Sequence, residues 1–386
     1  MISKSNLLLN LFFTAYVLSI LYFPLEVFGT SIMTRILPLI ILIGILLILL
    51  KNLKTKHFKN YTILFIITMS FSFSAFSELN SVIYLINFFL YSIFFLALYA
   101  SFDIYGYDFI KRYSRLIYLF AIFVSILAIF EYFFYYQMNN IFLFRGSPYY
   151  ESKGQVCALY SNPNIFGMMT ALSMQFGFIV YKSKLKILLT SFFIVIGVIL
   201  SGSRMALAIL LLVFIINVLK IRFSSFTTIF ISLISLIGLS LISLYFSEII
   251  DLNFRDVIWG ASLDAFNENP YFGLGIGNFQ NKIDQFLDID WIQGANNLFW
   301  GLLVEAGIVT SILFYLFLLA PTFSKKKLKL EYKLFDFQMG LLLSLLIISQ
   351  FSEYFLIYVT PYLFLLFLSI AAIKFNKEQN AKNIIS

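Results

Sequence analysis

Apolar runs of about the length needed to cross the hydrocarbon core of a bilayer recur from one end of this chain to the other, and they leave few folds open. They fall near residues 7–23, 32–50, 61–76, 82–100, 116–135, 163–181, 186–200, 205–219, 225–246, 297–320, 335–351 and 355–373. The reading is an all-α, polytopic membrane protein of about twelve transmembrane helices, one integral membrane domain over 1–386. Composition agrees: 12% of residues are charged, against roughly 25% in ordinary soluble domains. Two runs are short, 61–76 and 186–200, and the second is separated from the next only by Ser201, Gly202, Ser203 and Arg204.

Charge sets the orientation. Lysines and arginines gather in alternate loops: Lys51, Lys54, Lys56 and Lys59; Lys111, Arg112 and Arg115; Lys182, Lys184 and Lys186; Lys220 and Arg222; and five lysines between 325 and 333. By the positive-inside rule these loops and both termini are cytoplasmic, leaving Arg35, Arg145, Lys153, Arg204, Arg255 and Lys282 outside that set. Lys4 precedes an apolar run with no small-residue cleavage site after it, which reads as an uncleaved first helix. The net charge of +8 is therefore a topology signal. Spread over short inner loops, it forms no basic domain, and a nucleic-acid partner is excluded.

The same reading excludes several chemistries. His57, the one histidine, lies between lysines in a cytoplasmic loop, so no histidine base or Ser-His-Asp arrangement serves the outer face. Cys157, the one cysteine, forms no internal disulfide and reads as a small buried hydrophobe. Zinc ligation fails because these two residues fall on opposite sides. No cofactor or metal is expected.

A polar stretch over 251–308 interrupts the oily pattern, with a large extracytoplasmic loop over 247–296 between the ninth and tenth helices. It holds Arg255 and Trp259 four residues apart, the Asn269-Pro270 turn, Gly273, Gly275 and Gly277, and the Asn296-Asn297 pair before an apolar helix. Its G-x-G-x-G run is not the G-x-G-x-x-G of a dinucleotide fold. Glycines there let irregular backbone pack close to the membrane surface or to a ligand. The carboxylates Asp251, Asp256, Asp264, Glu268, Asp284, Asp288 and Asp290 are mostly solvated loop charges.

Ionisable groups in or beside spans are costly and rare. Arg204 opens a helix after a Gly-containing break, from which its side chain can point into the bundle, and Arg145 and Lys153 lie in a smaller outer loop. The plainer reading of such cations is an interfacial anchor, preferred for Lys153 and Lys282. Arg204 and Arg255 carry planar forks of donors suited to a lipid diphosphate. Asn162, Pro163 and Asn164 read as a helix start in which an Asn caps, Pro occupies the first turn and Gly167 allows close approach. Amides there can also hold a sugar or phosphate. Glu131, Glu305 and Glu353 lie in or beside helices, and Glu305 needs an internal partner, an outer arginine or a helix terminus.

Across 154–308 these pieces together resemble the family of O-antigen ligases and of O-antigen and capsular polysaccharide polymerases. The resemblance rests on Asn162-Pro163-Asn164, on Ser203-Arg204, and on Arg255 with Trp259. It rests also on Asn-Pro-x-x-Gly-x-Gly over 269–275 and Asn-Leu-x-x-x-Leu-x-x-Glu-x-Gly over 297–307. It implies a bacterial inner-membrane glycosyltransferase whose active site faces outside. Its donor is an undecaprenyl-diphosphate-linked oligosaccharide and its acceptor a growing polysaccharide, with membrane lipids, a flippase and a chain-length regulator as partners. Arg204, Arg255, Asn296 and Glu305 take catalytic positions; Arg145, Asn162, Asn164, Asp256, Trp259 and Asn297 take substrate-binding ones. Relatives carry a His-Asn pair where this chain has Asn296-Asn297, which leaves Asp256, Glu151, Glu305 or no residue as the base. The reading is a metal-independent, inverting polymerase of the surface glycan, whether O-antigen, capsule or exopolysaccharide. Its neighbours are an O-antigen ligase acting on lipid A-core and, in another class, a lipid-linked oligosaccharide flippase or transporter. No internal repeat of the transporter kind is present.

Overall fold

The computed structural model describes residues 107–138, 154–160, 162–181, 183–218, 255–275, 278–279, 283 and 298–319, and among these the regular elements are all helices. They are α1 (Tyr107–Met138), α2 (Pro163–Val180), α3 (Lys184–Leu200), α4 (Arg204–Val218), α5 (Arg255–Glu268) and α6 (Leu298–Leu319). Among the described residues, three windows are long and apolar enough to cross a membrane: Lys111–Phe134 in α1, Pro163–Val180 in α2 and Phe299–Leu316 in α6. Leu185–Leu200 and Arg204–Ile215 are shorter apolar helices. The remaining predicted spans lie outside the described residues.

The start of α2 and the junction of α3 with α4 fall where the sequence supplies a reason. Asn162 caps α2, its side chain accepting the Asn164 N–H at 2.8 Å, and Pro163 follows as the first helical residue. Such a cap is worth about 1 kcal/mol. At the other boundary Gly202 adopts φ +64, a left-handed conformation that ends α3 at little steric cost. Ser203 then caps α4 by accepting the Ala206 N–H at 3.3 Å. Two helices therefore replace what an apolar pattern alone would run together.

Helices α1 to α4 pack on one another, with α2 in contact with all three others. Their polarity is inverted relative to a soluble bundle. Leu119, Phe123, Phe133, Leu188, Leu189 and Phe192 are exposed, while Ser114, Ser125, Thr170, Ser173 and Ser191 are buried. Water would penalise that arrangement and lipid favours it. Several buried hydroxyls are satisfied locally: Ser125 donates to the Ala121 carbonyl and Ser173 to that of Met169, each at 2.7 Å. Tyr118 reaches across to Thr190 and Ser191 on α3 at 2.6 and 3.1 Å. Small residues set the approach, Gly167 lying against Ser201 and Ala206, and Gly197 against Ser125.

The other described pair is α5 on α6. Inside the predicted loop, α5 is amphipathic: Ile258, Trp259, Ala261, Ser262 and Ala265 are buried, whereas Val257, Leu263, Asp264, Asn267 and Glu268 are exposed. Its buried stripe joins Trp300, Leu303 and Val304 of α6 in one core. That periodicity was present in the sequence, where the segment read as loop. Pro270 closes the helix, since the residue before a proline is steered away from helical backbone.

Candidate functional site

The first cluster forms where α1, the segment 154–160 and the α3–α4 junction meet. The sequence places that segment in an outer loop, yet Val156, Cys157, Ala158, Leu159 and Tyr160 are all buried. Glu131, 1% exposed near the end of the α1 span, accepts the Cys157 N–H at 3.3 Å on one oxygen and the Ala158 N–H at 2.5 Å on the other. Ala158 has φ +51, so this turn cannot satisfy its donors as a helix or a ladder would. The Val156 N–H donates to the carbonyl of Leu200, the last residue of α3, at 3.2 Å. Gln155 covers Gly202, where a Cβ would stand 2.6 Å from its Nε2.

Arg204 emerges from this corner as the first residue of α4. Its side chain is exposed, which corrects the expectation that it points into the bundle. Ser201 and Ser203, both buried, brace the turn: the Ser201 hydroxyl donates to Val198 at 2.6 Å and accepts the Ser203 N–H at 3.2 Å. The guanidinium is thus exposed at its tip and braced at its root. Asn164 is exposed one residue into α2, and Asn162 is half-buried as its cap.

Cys157 is fully buried, as expected of a small hydrophobe. Burial, with the Glu131 carboxyl beside it, pushes its thiol up to about 12. The neutral thiol is favoured in the folded state below that value. Folding stability from this group is therefore full below the ordinary thiol range and falls as pH rises towards 12. The folded protein is expected to label with a maleimide at pH 8 at least about tenfold more slowly than the denatured chain. Equal rates would mean that the segment is not packed as described.

The second cluster explains two of the motifs together. Inside α6, Gly307 has φ 71 and ψ 175, so the helix is broken there rather than continuous as its apolar pattern predicts. In an unbroken helix the Ile308 N–H would donate to the Val304 carbonyl. Here it donates to Pro270 at 2.9 Å, and Val304 instead accepts the Leu274 N–H at 2.7 Å. The Glu305 carbonyl accepts the Gly275 N–H at 2.9 Å. The Asn-Pro-x-x-Gly-x-Gly run is thus inserted against the Glu-x-Gly break, each backbone completing the other.

Gly307 divides the apolar stretch Phe299–Leu316, and the loop packs against that break. Irregular backbone among apolar helices is tolerated where protein supplies its hydrogen bonds. Glu305, 5% exposed, contributes its side chain as well, accepting the Phe279 N–H at 3.2 Å. That is a backbone partner of the kind its burial demands. Trp259 is 1% exposed in the α5–α6 core, so its ring is a packing element and not an open sugar platform.

Arg255 and Asp256 are the first two residues of α5. Arg145, Glu151, Gly277, Asn296 and Asn297 lie outside the described residues. Asp264 and Glu268 are exposed, as read for solvated loop charges. Sequence reasoning missed the parts played by Glu131 and Gly307. The signal for the first was a lone acid within an apolar run, and for the second a glycine at the end of a motif already singled out.

Comparison with known proteins gives one family. Residues 189–315 match the model described as O-Antigen ligase, which supports the resemblance drawn from the motifs. The matched segment takes in most of α3, all of α4 and α5, and most of α6; the Asn162 helix start precedes it. No curated protein matches the chain. The matched segment, helical throughout its described residues, supports in general terms a membrane glycosyltransferase activity of the O-antigen ligase type.

Proposed function

We propose, from the family match and the Arg204 corner together, that the chain is a polysaccharide polymerase of the outer face of the cytoplasmic membrane. Its donor is an oligosaccharide repeat on undecaprenyl diphosphate and its acceptor the growing glycan. The acceptor hydroxyl oxygen bonds to the anomeric carbon as the bond from that carbon to the diphosphate breaks. The diphosphate leaves with the electron pair, and a single displacement inverts the centre. Arg204 and Arg255 neutralise the developing charge, and no metal is required for that task. Where relatives use histidine, an outer carboxylate, Asp256 or Glu151, takes the hydroxyl proton, or the proton passes to water. Arg145, Asn162, Asn164, Asn296 and Asn297 hold sugar or acceptor groups, the amides orienting without exchanging protons. Glu305, buried and engaged with backbone, contributes by holding the loop.

The observation that carries this reading is the placement of Arg204. It is exposed, rooted in a capped turn at a helix N-terminus, and lies within the matched segment. A helix N-terminus and a guanidinium both favour an anion. The ligase reading stands second, favoured by the description of the matched family, while Asn296 in place of histidine favours the polymerase.

Reconstituted full-length protein, supplied with diphosphate-linked repeat units, tests this directly. Products lengthened by whole repeats support the polymerase. Transfer of preformed polymer onto a lipid A-core acceptor, with no lengthening, supports the ligase. Movement of donor across the bilayer without any transfer would overturn both in favour of a flippase.

A further inference from the structure

We infer that Glu131 is a positioning residue for Arg204, acting through the backbone of residues 155–158. The inference rests on the reading of Arg204 as a diphosphate contact.

A carboxyl group 1% exposed within the span of α1 is costly, and a leucine would fill the same space without that penalty. What the carboxyl provides is two acceptors for two adjacent N–H groups, those of Cys157 and Ala158. The left-handed backbone at Ala158 turns both donors towards one carboxylate. The clamped segment is itself attached to the Arg204 corner at two points. Its Val156 N–H caps the end of α3 by donating to Leu200, one of the terminal carbonyls that a helix leaves without a partner. Its Gln155 side chain lies over Gly202, the left-handed residue at which α3 gives way to α4. Two residues later stands Arg204.

The contacts run unbroken from α1 to the corner: Glu131, then Cys157 and Ala158, then Val156 and Gln155, then Leu200 and Gly202. Gly167 of α2 also packs on this corner, against Ser201 and Ala206. The turn from which the guanidinium projects is therefore held from two helices. A residue that fixes such a turn sets where the long arginine side chain starts its reach. Misplacement of that start slows the step in which the diphosphate leaves more than it weakens donor binding.

The test is a double-mutant cycle in the reconstituted full-length protein, with kcat and KM for diphosphate-linked donor measured in wild type, Glu131→Gln, Arg204→Ala and the double variant. Maleimide labelling of Cys157, the sole cysteine, reports whether the clamped segment has been released. The expected result is a Glu131→Gln protein that labels faster and has kcat lowered about tenfold with donor KM little changed. In the Arg204→Ala background the same substitution is expected to add little further loss, because the two residues act in series. Losses that simply multiply would overturn the inference, as would rapid Cys157 labelling with an unchanged kcat, which marks Glu131 as structural only. Should Glu131→Gln fail to fold, Glu131→Asp keeps the carboxyl one methylene short and is expected to give the same pattern at smaller size. A slow Arg204→Ala variant beside a normal Glu131→Gln variant would overturn this inference alone. An Arg204→Ala variant with unchanged transfer would overturn the diphosphate reading, and the inference with it.

Discussion

Arg204→Ala is expected to lower kcat/KM for a diphosphate-linked donor by about 10²–10³-fold, the usual cost of removing one preorganised group that stabilises developing negative charge. Arg255→Ala is expected to cost a comparable amount, since the leaving diphosphate spreads its charge over two phosphoryl groups. Folding should be nearly untouched in the Arg204 variant because its side chain is exposed. Exposed substitutions away from special features usually change stability by less than about 0.5 kcal/mol. Arg204→Lys keeps the charge and loses the planar fork, so it should recover only part of the rate. The check is steady-state transfer with reconstituted protein, together with a thermal-unfolding control. Unchanged transfer in both alanine variants would remove the diphosphate clamp.

Gly307→Ala is expected to destabilise the protein by about 3 kcal/mol or more, combining a backbone conformation open essentially to glycine alone with overpacking. Its φ of 71 and ψ of 175 exclude an L side chain, and a Cβ there would overlap the carbonyl of Tyr271 and approach the Phe272 nitrogen to 2.5 Å. Because the overlap is with backbone, truncating Tyr271 should not rescue it. Gly273→Ala faces the same obstacle from the other side, with its Cβ 2.6 Å from the Ala306 nitrogen at φ +72. Thermal unfolding in detergent measures the effect. A Gly307→Ala protein as stable as wild type would mean that the break in α6 is not held by the loop. If the helix instead closes in such a variant, the loop loses the acceptors at Val304 and Glu305, and transfer should fall with it.

The two variants differ in what they disturb. Arg204 stands at the end of a rigid corner and contributes a charge; Gly307 contributes nothing but the absence of a side chain. One should lose rate with its fold intact, the other its fold.

Much of the helix pattern was legible in the chain. The runs near 116–135, 163–181, 186–200 and 205–219 correspond to α1 through α4, and a cap by Asn162 or Asn164, Pro163 in the first turn and the close approach at Gly167 were read from residue type and spacing, the cap being Asn162. Those features are local: capping needs only a side-chain oxygen a few residues from a free N–H, and a span needs only length and hydrophobicity. Amphipathic α5 was equally local, but its stripe was obscured because the polar stretch around it read as one loop. Burial of Trp259 was not legible. A tryptophan beside an arginine looks the same whether its ring faces a sugar or a core.

What the sequence by itself determined is the solvent this protein folds in, the helix start at 162–164, the break at 201–204 and the list of groups available for chemistry, because those depend on composition and on neighbours in the chain. What only the tertiary structure decided is which of those groups meet. Glu131 finds donors at 157 and 158, and the glycine run at 273 and 275 completes a helix broken at 307. Such pairings answer a demand that no short stretch reveals, since each unsatisfied backbone group in a span must find its partner wherever the fold brings one within reach.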